Sequence, residues 1–406
     1  MLVKPFAALR PVPEKAAALA AVPYDVVDTA EARVLAAGNP DSFLHVSRPE
    51  IDLPDSVDLH DDAVYAQGVR AFMDLQTRGV LHREADERFY VYRQIMGTHS
   101  QTGVVTCCHI EDYAKDIIRK HEKTRKDKED DRTRHCLALN ANSGPVFLTY
   151  RDTAGLDTRV AKVQQNAPLY DFIAADGVRH TVWRVEGPTD GWVKAFSQVP
   201  LAYVADGHHR AAAAFRAGQQ HRAANPAHTG NEEYNWFLAV LFPSSQLRIL
   251  PYNRCVADLN GLTPAAFLTK VKAVFKTEAA AGATPIGPRE VRMYLGHAWY
   301  TLTWDEFASD PVGRLDVSVL QDWLLAPVLG IDDPRTNTRI SFVGGIRGTG
   351  ELTQRVDSGR DAVAFSMFPT TVGQMMDIAD AGQIMPPKST WFEPKLRSGL
   401  LIHTLD

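Results

Sequence analysis

A short apolar run leads without a spacer into an alanine-rich segment at 201–213, which reads LAYVADGHHRAAA. The apolar residues predict a buried strand, and the alanines predict a helix, since alanine has the highest helix propensity. Gly207 lies between the two and permits a tight strand-to-helix turn. We therefore predict an α/β (α+β) fold class, with a core of mixed sheet and helices.

Four chemically useful side chains lie at this turn, namely Asp206, His208, His209 and Arg210. The first backbone N–H groups of a helix have no intrahelical partner and carry partial positive charge, so they attract anions. The pattern is typical of a phosphate-binding turn. The alternative is a solvated helix start that Asp206 caps.

The segment 115–135 reads KDIIRKHEKTRKDKEDDRTRH and contains nine Lys/Arg and six Asp/Glu. One interpretation is an exposed helix with i,i+4 ion pairs. The other is a segment that contacts phosphate oxygens and Mg²⁺ together. Two features favour this second interpretation. The segment contains two histidines, which ion-pair helices do not need, and it leads into a polar loop at 140–144 that precedes an apolar strand. The donor-binding candidates are Lys120, His121, Arg125, Lys128, Arg132, Arg134 and His135.

The C-terminal segment 385–399 combines prolines, cations and hydroxyls around Lys388, Ser389 and Thr390. Prolines hold a loop rigid, so these donors can point at an anion; the alternative is a proline-rich surface turn. Tyr24 and Asp25, in the apolar run VPYDVV, are either hydrogen-bonded core residues or ligand-facing ones. Elsewhere the pattern predicts a helix over 64–78, a hairpin over 88–109, a strand over 43–46, and a strand over 234–242 with 246–252 as its hairpin partner.

Composition excludes several function classes. The chain of 406 residues has a net charge of −5, which does not indicate a general nucleic-acid-binding surface. Its four cysteines form no CxxC pair, and HExxH, GxSxG and GxxxxGK[ST] are absent. No segment has the length of a signal peptide core or a membrane span, so we expect a cytoplasmic protein. Phosphoryl transfer, which needs charge neutralisation and a carboxylate base, suits the remaining groups.

The motif DGHHR at 206–210 resembles that of free L-serine kinases of the ParB/sulfiredoxin-like superfamily. The stretch PKST at 387–390 resembles their PKTT near the C-terminus, and Pro13-Glu14 is similar to a Pro-x-Glu, offset by one residue. The chain also resembles a widespread family of uncharacterised bacterial and archaeal proteins through YDVV, HExTxxDKExDR and PPKSTWFEPK. The resemblance implies a ParB/sulfiredoxin-like core over 1–260, a charged insertion at about 90–150, and a C-terminal α/β region over 261–406 whose last segment completes the active site.

The same resemblance implies the reaction and the roles of the residues. Free L-serine would be phosphorylated to O-phospho-L-serine, with Glu14 as the base. Asp206, His208, His209 and Arg210 would hold the donor phosphates and Mg²⁺, with Asp206 as the metal ligand and both Asp206 and His209 also catalytic. Lys388, Ser389 and Thr390 would bind serine. Tyr24, in its ligand-facing interpretation, is a further substrate-binding candidate.

The cation-rich segment favours inorganic pyrophosphate as donor over ADP or ATP, because it supplies many charges to a small anion. The alternatives are a ParB-like regulator that binds nucleotide or DNA, a phosphatase that uses the same anion site, and a non-catalytic metabolite sensor.

Overall fold

The computed structural model describes residues 1–305 and 308–406, which group into two compact units. The first unit comprises Met1–Leu247 and Pro394–Asp406, and the second comprises Arg248–Glu393. Helices accompany a sheet with both parallel and antiparallel pairs, so the predicted α+β class is confirmed. The division at residue 260 stays a prediction.

The strands are short apart from a few long central ones. In chain order they are β1 Val3–Lys4, β2 Leu9–Pro11, β3 Leu81–Arg83, β4 Tyr90–Met96, β5 His99–His109, β6 Ile118–Arg119, β7 Ala141–Asn142, β8 Val146–Tyr150, β9 Tyr170–Ile173, β10 Arg179–Arg184, β11 Ala202–Asp206, β12 Trp236–Pro243, β13 Ile249–Leu250, β14 Tyr252–Val256, β15 Lys276–Ala279, β16 Glu290–Leu295, β17 Ala298–Thr303, β18 Ile340–Gly344, β19 Val363–Met367, β20 Trp391–Phe392 and β21 His403–Thr404.

The helices vary from single turns to more than four turns. They are α1 Ala16–Leu19, α2 Thr29–Ala36, α3 Leu44–Ser47, α4 Asp62–Thr77, α5 Ile110–Ala114, α6 Lys126–Leu139, α7 Ala154–Val163, α8 Asp190–Ser197, α9 His208–Ala224, α10 Pro264–Val274, α11 Asp316–Leu320, α12 Gly350–Asp357 and α13 Val372–Asp380. Short 3₁₀ turns lie at Pro13–Lys15, Pro49–Asp52, Glu233–Asn235, Ser244–Gln246 and Gly345–Arg347, and a π-helical turn at Gln321–Leu325 follows α11.

A nine-stranded sheet forms the centre of the first unit. Its order is β6-β11-β8-β12-β5-β4-β10-β9, and β1 also pairs with β5. The pairs β11–β6 and β12–β8 are parallel, and the others are antiparallel. The main core of this unit lies on the sheet and includes buried side chains of β5, β8, β11 and β12 together with alanines of α9.

Helix α9 packs closely against the sheet because its inward side chains are small. Ala211–Ala214 and Ala217 are buried, and the helix contacts α6, α5, β12 and β8. Small side chains let helix and sheet backbones approach. The predicted strand–turn–helix is therefore present, with the strand in the sheet and the helix packed on it.

Two local predictions were wrong. Residues 43–46 were expected as a strand, but Leu44–Ser47 form α3, since a four-residue apolar run carries no period that separates strand from helix. Residues 246–252 were expected as the hairpin partner of β12. Instead β12 pairs with β5 and β8, and β13 pairs with β20 in the second unit. The predicted helix over 64–78 and hairpin over 88–109 are confirmed as α4 and β4–β5.

The second unit contains an antiparallel six-stranded sheet in the order β15-β17-β16-β19-β14-β18. Its core includes Cys255, Val343, Leu352 and Ala364, between the sheet and α12. Among the residues that the structure describes, no helix combines the length and the apolar character needed to cross a membrane.

Candidate functional site

The turn between β11 and α9 depends on Gly207. Its φ of 90° lies in the left-handed region, which favours glycine. A Cβ at this position would lie 3.0 Å from Cζ of Arg210, so a larger residue would both strain the backbone and displace the guanidinium. The strand also changes register between Val204 and Asp206, and such an irregularity redirects the side chain that follows.

Asp206 lies between two cations. Its Oδ1 is 3.4 Å from Nζ of Lys395, and its Oδ2 accepts a hydrogen bond of 3.2 Å from Nη2 of Arg210. Burial would raise the pKa of Asp206, but Lys395 and Arg210 outweigh it and lower the pKa to about 2. The carboxylate is therefore ionised at neutral pH and holds both cations in place.

His209 is tied to the start of α6. Its Nε2 accepts a hydrogen bond of 3.1 Å from the backbone N–H of Arg125, the residue that precedes α6. Burial lowers the pKa of His209, so the ring is neutral and Nδ1 carries its proton. The histidine thereby links the DGHHR turn to the charged segment.

A pocket in the first unit lies beside this turn. It encloses about 570 Å³ of space not occupied by atoms, counting the part open to solvent. Four of the predicted site residues line it: Tyr24, Arg132, His135 and Arg210. The predicted polar loop also lines it through Asn142, Ser143 and Gly144.

The two arginines of the pocket are mostly buried. The side chains of Arg132 and Arg210 are 14% and 11% exposed. Arg132 pairs with Asp131 at 2.7 Å and lies 4.3 Å over the ring of Tyr24, while Arg210 donates to the Pro145 carbonyl. Buried guanidinium groups require anionic or polar partners and suit phosphate oxygens.

The remaining polar groups of the pocket are neutral. Nε2 of His135 lies 2.8 Å from the Val46 carbonyl, and burial lowers its pKa to about 4, so the ring donates this hydrogen bond uncharged. Burial raises the pKa of Tyr24 and keeps its phenol protonated. Ser47 lines the pocket, and its buried Oγ has no hydrogen-bond partner among the described residues. An orphaned hydroxyl of this kind points to a polar ligand.

The C-terminal segment reaches the same pocket through Ser398. A Cβ on Gly144 would lie 2.9 Å from Oγ of Ser398, so glycine is required for the approach of the loop to that hydroxyl. Arg397 lies in the same segment, donates 3.3 Å to Nε2 of His180, and pairs with Asp176.

His121 and His208 are both buried and face each other edge to face, with ring centroids 4.5 Å apart. Burial lowers the pKa of His121 to about 4 and that of His208 well below its usual value. Both imidazoles are therefore neutral at pH 7.

The other predicted cations of the charged segment lie outside the pocket lining. Lys120 donates 3.0 Å to the Tyr113 carbonyl and pairs with Asp116. Arg125 pairs with Asp127, Arg134 pairs with Asp62, and Lys128 is exposed.

Glu14 lies on the exposed 3₁₀ turn Pro13–Lys15 and is not among the pocket-lining residues. Lys388, Ser389 and Thr390 belong to the second unit. There the Lys388 ammonium lies 5.5 Å over the Tyr252 ring, and Ser389 donates 2.7 Å to the Pro386 carbonyl.

Sequence reasoning missed Ser47 and Lys395 as site residues, whereas it left Asp25 open as either a core residue or a ligand-facing one. Asp25 affects the ionisation of two site residues: besides burial, it raises the pKa of Tyr24, and it opposes the lowering of the His209 pKa by burial. The density of cations in the C-terminal segment was a signal for Lys395, whereas nothing in the sequence distinguishes Ser47.

Comparison with known proteins gives a family and distant structural similarities. The family model described as "Protein of unknown function (DUF1015)" matches residues 3–318. No curated protein matches the chain.

Similar solved structures include a free serine kinase in complex with AMP, with 11% identity, a TM-score of 0.37, and coverage of 74% of this chain and 91% of that one. A conserved hypothetical protein from Pyrococcus furiosus has 12% identity and a TM-score of 0.36, and the match covers 74% of this chain and 94% of that one. C-terminally truncated SbnI from Staphylococcus aureus has 12% identity and a TM-score of 0.38, and the match covers 73% of this chain and 86% of that one. Similarity at this level transfers neither an activity nor a ligand. Since the family model covers more than half of the chain, this protein belongs to the DUF1015 family.

Proposed function

We propose that this protein is a phosphotransferase that converts free L-serine to O-phospho-L-serine, with inorganic pyrophosphate as its preferred donor over ADP or ATP. The observation that carries the proposal is the pocket between DGHHR and α6, in which two mostly buried arginines, Arg132 and Arg210, lie with the orphaned hydroxyl of Ser47. Each arginine pairs with one carboxylate, Arg132 with Asp131 and Arg210 with Asp206, but Nε of Arg210 is buried without a hydrogen-bond partner among the described residues. A phosphate oxygen would satisfy such a donor.

The pocket chemistry supports a small donor. Its cations and hydroxyls match phosphate oxygens, whereas a nucleobase binds best against an open aromatic face. Arg132 already covers one face of Tyr24 at 4.3 Å. Pyrophosphate needs only the charged groups.

In the proposed reaction the serine hydroxyl oxygen attacks the terminal phosphorus of pyrophosphate, and the bond from that phosphorus to the bridging oxygen breaks. The products are phosphoserine and inorganic phosphate. Arg132, Arg210 and Lys395 neutralise the charge that spreads over the phosphate oxygens. A carboxylate accepts the hydroxyl proton: Glu14 by the resemblance, or Asp25 by its position beside His209 and Tyr24.

Asp206 keeps Arg210 and Lys395 oriented, and His209 holds the start of α6 against the turn. Mg²⁺ fits this site only in part, because both oxygens of the ionised Asp206 already face cations. We propose that Mg²⁺ arrives bound to the donor phosphates, with Asp206 as its one protein carboxylate. Lys388, Ser389 and Thr390 stay proposed serine-binding residues.

The test is a donor-by-acceptor screen with Mg²⁺, in which pyrophosphate, ADP and ATP are each combined with L-serine and phosphoserine is measured. We expect turnover to be fastest with pyrophosphate and to be lost in Arg210→Ala. Phosphate release that does not depend on serine would instead identify a phosphatase. No turnover with any donor would refute the kinase proposal and favour a binding protein.

A further inference from the structure

Two imidazoles and a carboxylate converge at the DGHHR turn, outside the residues that line the pocket. His121, Glu122 and His208 each offer one ligand atom, and these atoms all lie within 4.8 Å of one another. Nδ1 of His208 is 3.8 Å from Oε2 of Glu122. The two histidines are 1% and 5% exposed, whereas the Glu122 side chain is 47% exposed.

We propose that His121, Glu122 and His208 bind a divalent transition-metal ion, with Zn²⁺ as the best match. Two imidazole nitrogens and one carboxylate oxygen form a donor set that suits Zn²⁺ and related ions, whereas Mg²⁺ prefers oxygen ligands alone. The site is therefore different in kind from the Mg²⁺ of the proposed phosphoryl transfer and does not depend on it.

Metal binding requires the three ligand atoms to move closer together. Ligand atoms around a tetrahedral Zn²⁺ lie roughly 3.3 Å apart, given metal–ligand bonds of about 2.0–2.2 Å. The distance of 3.8 Å between His208 and Glu122 closes by a rotation of the half-exposed Glu122 side chain, and the other pairs of ligand atoms, which lie within 4.8 Å, close by shifts of the two rings. The same exposure gives an ion a route into the site.

The surroundings hold the rings in the state that a metal needs. A hydrogen bond to the Val204 backbone carbonyl fixes the His121 ring, as carbonyls commonly do for metal-binding histidines. Nε2 of His208 is buried without a hydrogen-bond partner among the described residues.

The sequence motifs for zinc sites miss this cluster because its ligands come from two separate elements. His121 and Glu122 follow β6, and His208 begins α9. Strands β6 and β11 are parallel neighbours, so their carboxyl ends lie at the same edge of the sheet.

The experiment measures metal binding by the full chain. The protein is stripped with a chelator, dialysed, and titrated with Co²⁺ as a spectroscopic probe for Zn²⁺. We expect one Co²⁺ per chain with visible d–d absorption, displaced by Zn²⁺ but not by excess Mg²⁺. A chain that binds no Co²⁺ at this stoichiometry would overturn the proposal.

The variants locate the site. Glu122→Gln and His208→Ala should weaken Co²⁺ binding by at least about 10-fold. His209→Ala should keep it, because that ring binds the Arg125 N–H. The matched control is His228→Ala, since Nδ1 of His228 also lies beside a carboxylate, 2.9 Å from Oε2 of Glu232.

Unchanged Co²⁺ affinity in Glu122→Gln and His208→Ala would place the metal elsewhere and refute the assignment. If a buried histidine variant fails to fold, Glu122→Gln decides the question, because its side chain is half exposed.

Discussion

Helix α6 presents two faces that are equally polar in sequence but have opposite surroundings. On the inner face, Asp131 and His135 are buried and Arg132 lines the pocket. On the outer face, the side chains of Lys126 and Asp130 are 87% and 43% exposed. The ion-pair interpretation of the charged segment therefore fits the outer face, and the phosphate-binding interpretation stays a prediction for the inner face.

The inner face is held by polar partners on other elements. Asp131 accepts a hydrogen bond of 2.8 Å from the Tyr65 hydroxyl of α4, and His135 binds the Val46 carbonyl of α3. The outer face makes ion pairs near solvent, such as Arg216 of α9 with Asp130 at 2.5 Å. Similar residues thus position a site on one face and contribute little stability on the other, because exposed pairs are worth at most about 1 kcal/mol.

The largest expected effect is that of Arg132→Ala. Loss of a buried guanidinium from the pocket should lower kcat/KM for the phosphotransfer by about 100-fold or more, since it removes charge neutralisation in the transition state. Arg132→Lys is the matched control: it keeps the charge but loses the planar fork, and it should recover only part of the activity. Unchanged kcat/KM in Arg132→Ala would contradict the proposed role of the inner face, and melting temperatures separate a catalytic loss from unfolding.

The next effect concerns the carboxylate that accepts the proton of the serine hydroxyl, and it compares two N-terminal candidates, Asp25 and Glu14. Asp25→Asn should lower kcat by about 10²-fold, the low end of what a general base contributes, and by more than Glu14→Gln does. Both carboxylates are exposed and neither lines the pocket, but Asp25 is close enough to His209 and Tyr24 to affect their ionisation, whereas Glu14 affects His82 instead. A larger loss in Glu14→Gln would favour the base implied by the resemblance.

The features that sequence predicted correctly depend on neighbours in the chain. The β11–Gly207–α9 turn and the β4–β5 hairpin follow from local propensity and turn residues. The class of the fold follows from the same patterns.

The features that sequence could not predict depend on distant segments. Lys395 meets Asp206 only because Pro394–Asp406 belongs to the first unit. Helix α6 has no apolar stripe to indicate which face packs inward, so polar contacts from α3 and α4 decide it. Ser47 lies on α3, which was predicted as a strand, and its orphaned hydroxyl is visible only in the folded chain.

A smaller effect, on stability, arises from His135 on the inner face. Its pKa falls from 6.5 to about 4 on folding, chiefly because of burial. Between these values the unfolded chain binds the proton and the folded chain does not, so the free energy of unfolding decreases as pH falls from 6.5 toward 4. The full contribution is roughly 3 kcal/mol at about 1.4 kcal/mol per pKa unit.

Urea unfolding of the wild type and of His135→Gln at several pH values measures this contribution. The variant should be less stable at pH 7, because the hydrogen bond to Val46 is altered, but its stability should depend less steeply on pH below 6.5. An equal slope in both proteins would show that His135 is not a buried neutral group.

The smallest effect is expected on the outer face, in Lys126→Ala. Nζ of Lys126 lies 2.7 Å from Oδ2 of Asp130, one turn along an exposed helix surface. The change should alter the free energy of unfolding by less than about 0.5 kcal/mol. Raising the salt concentration should shrink this difference between variant and wild type, because added ions screen the attraction within the pair. Its kcat/KM should stay within about twofold of the wild-type value, since the charge lies outside the pocket lining. A tenfold loss of activity would mean that the outer cations also attract or hold the donor, and the division of α6 into a functional and a solvated face would then fail.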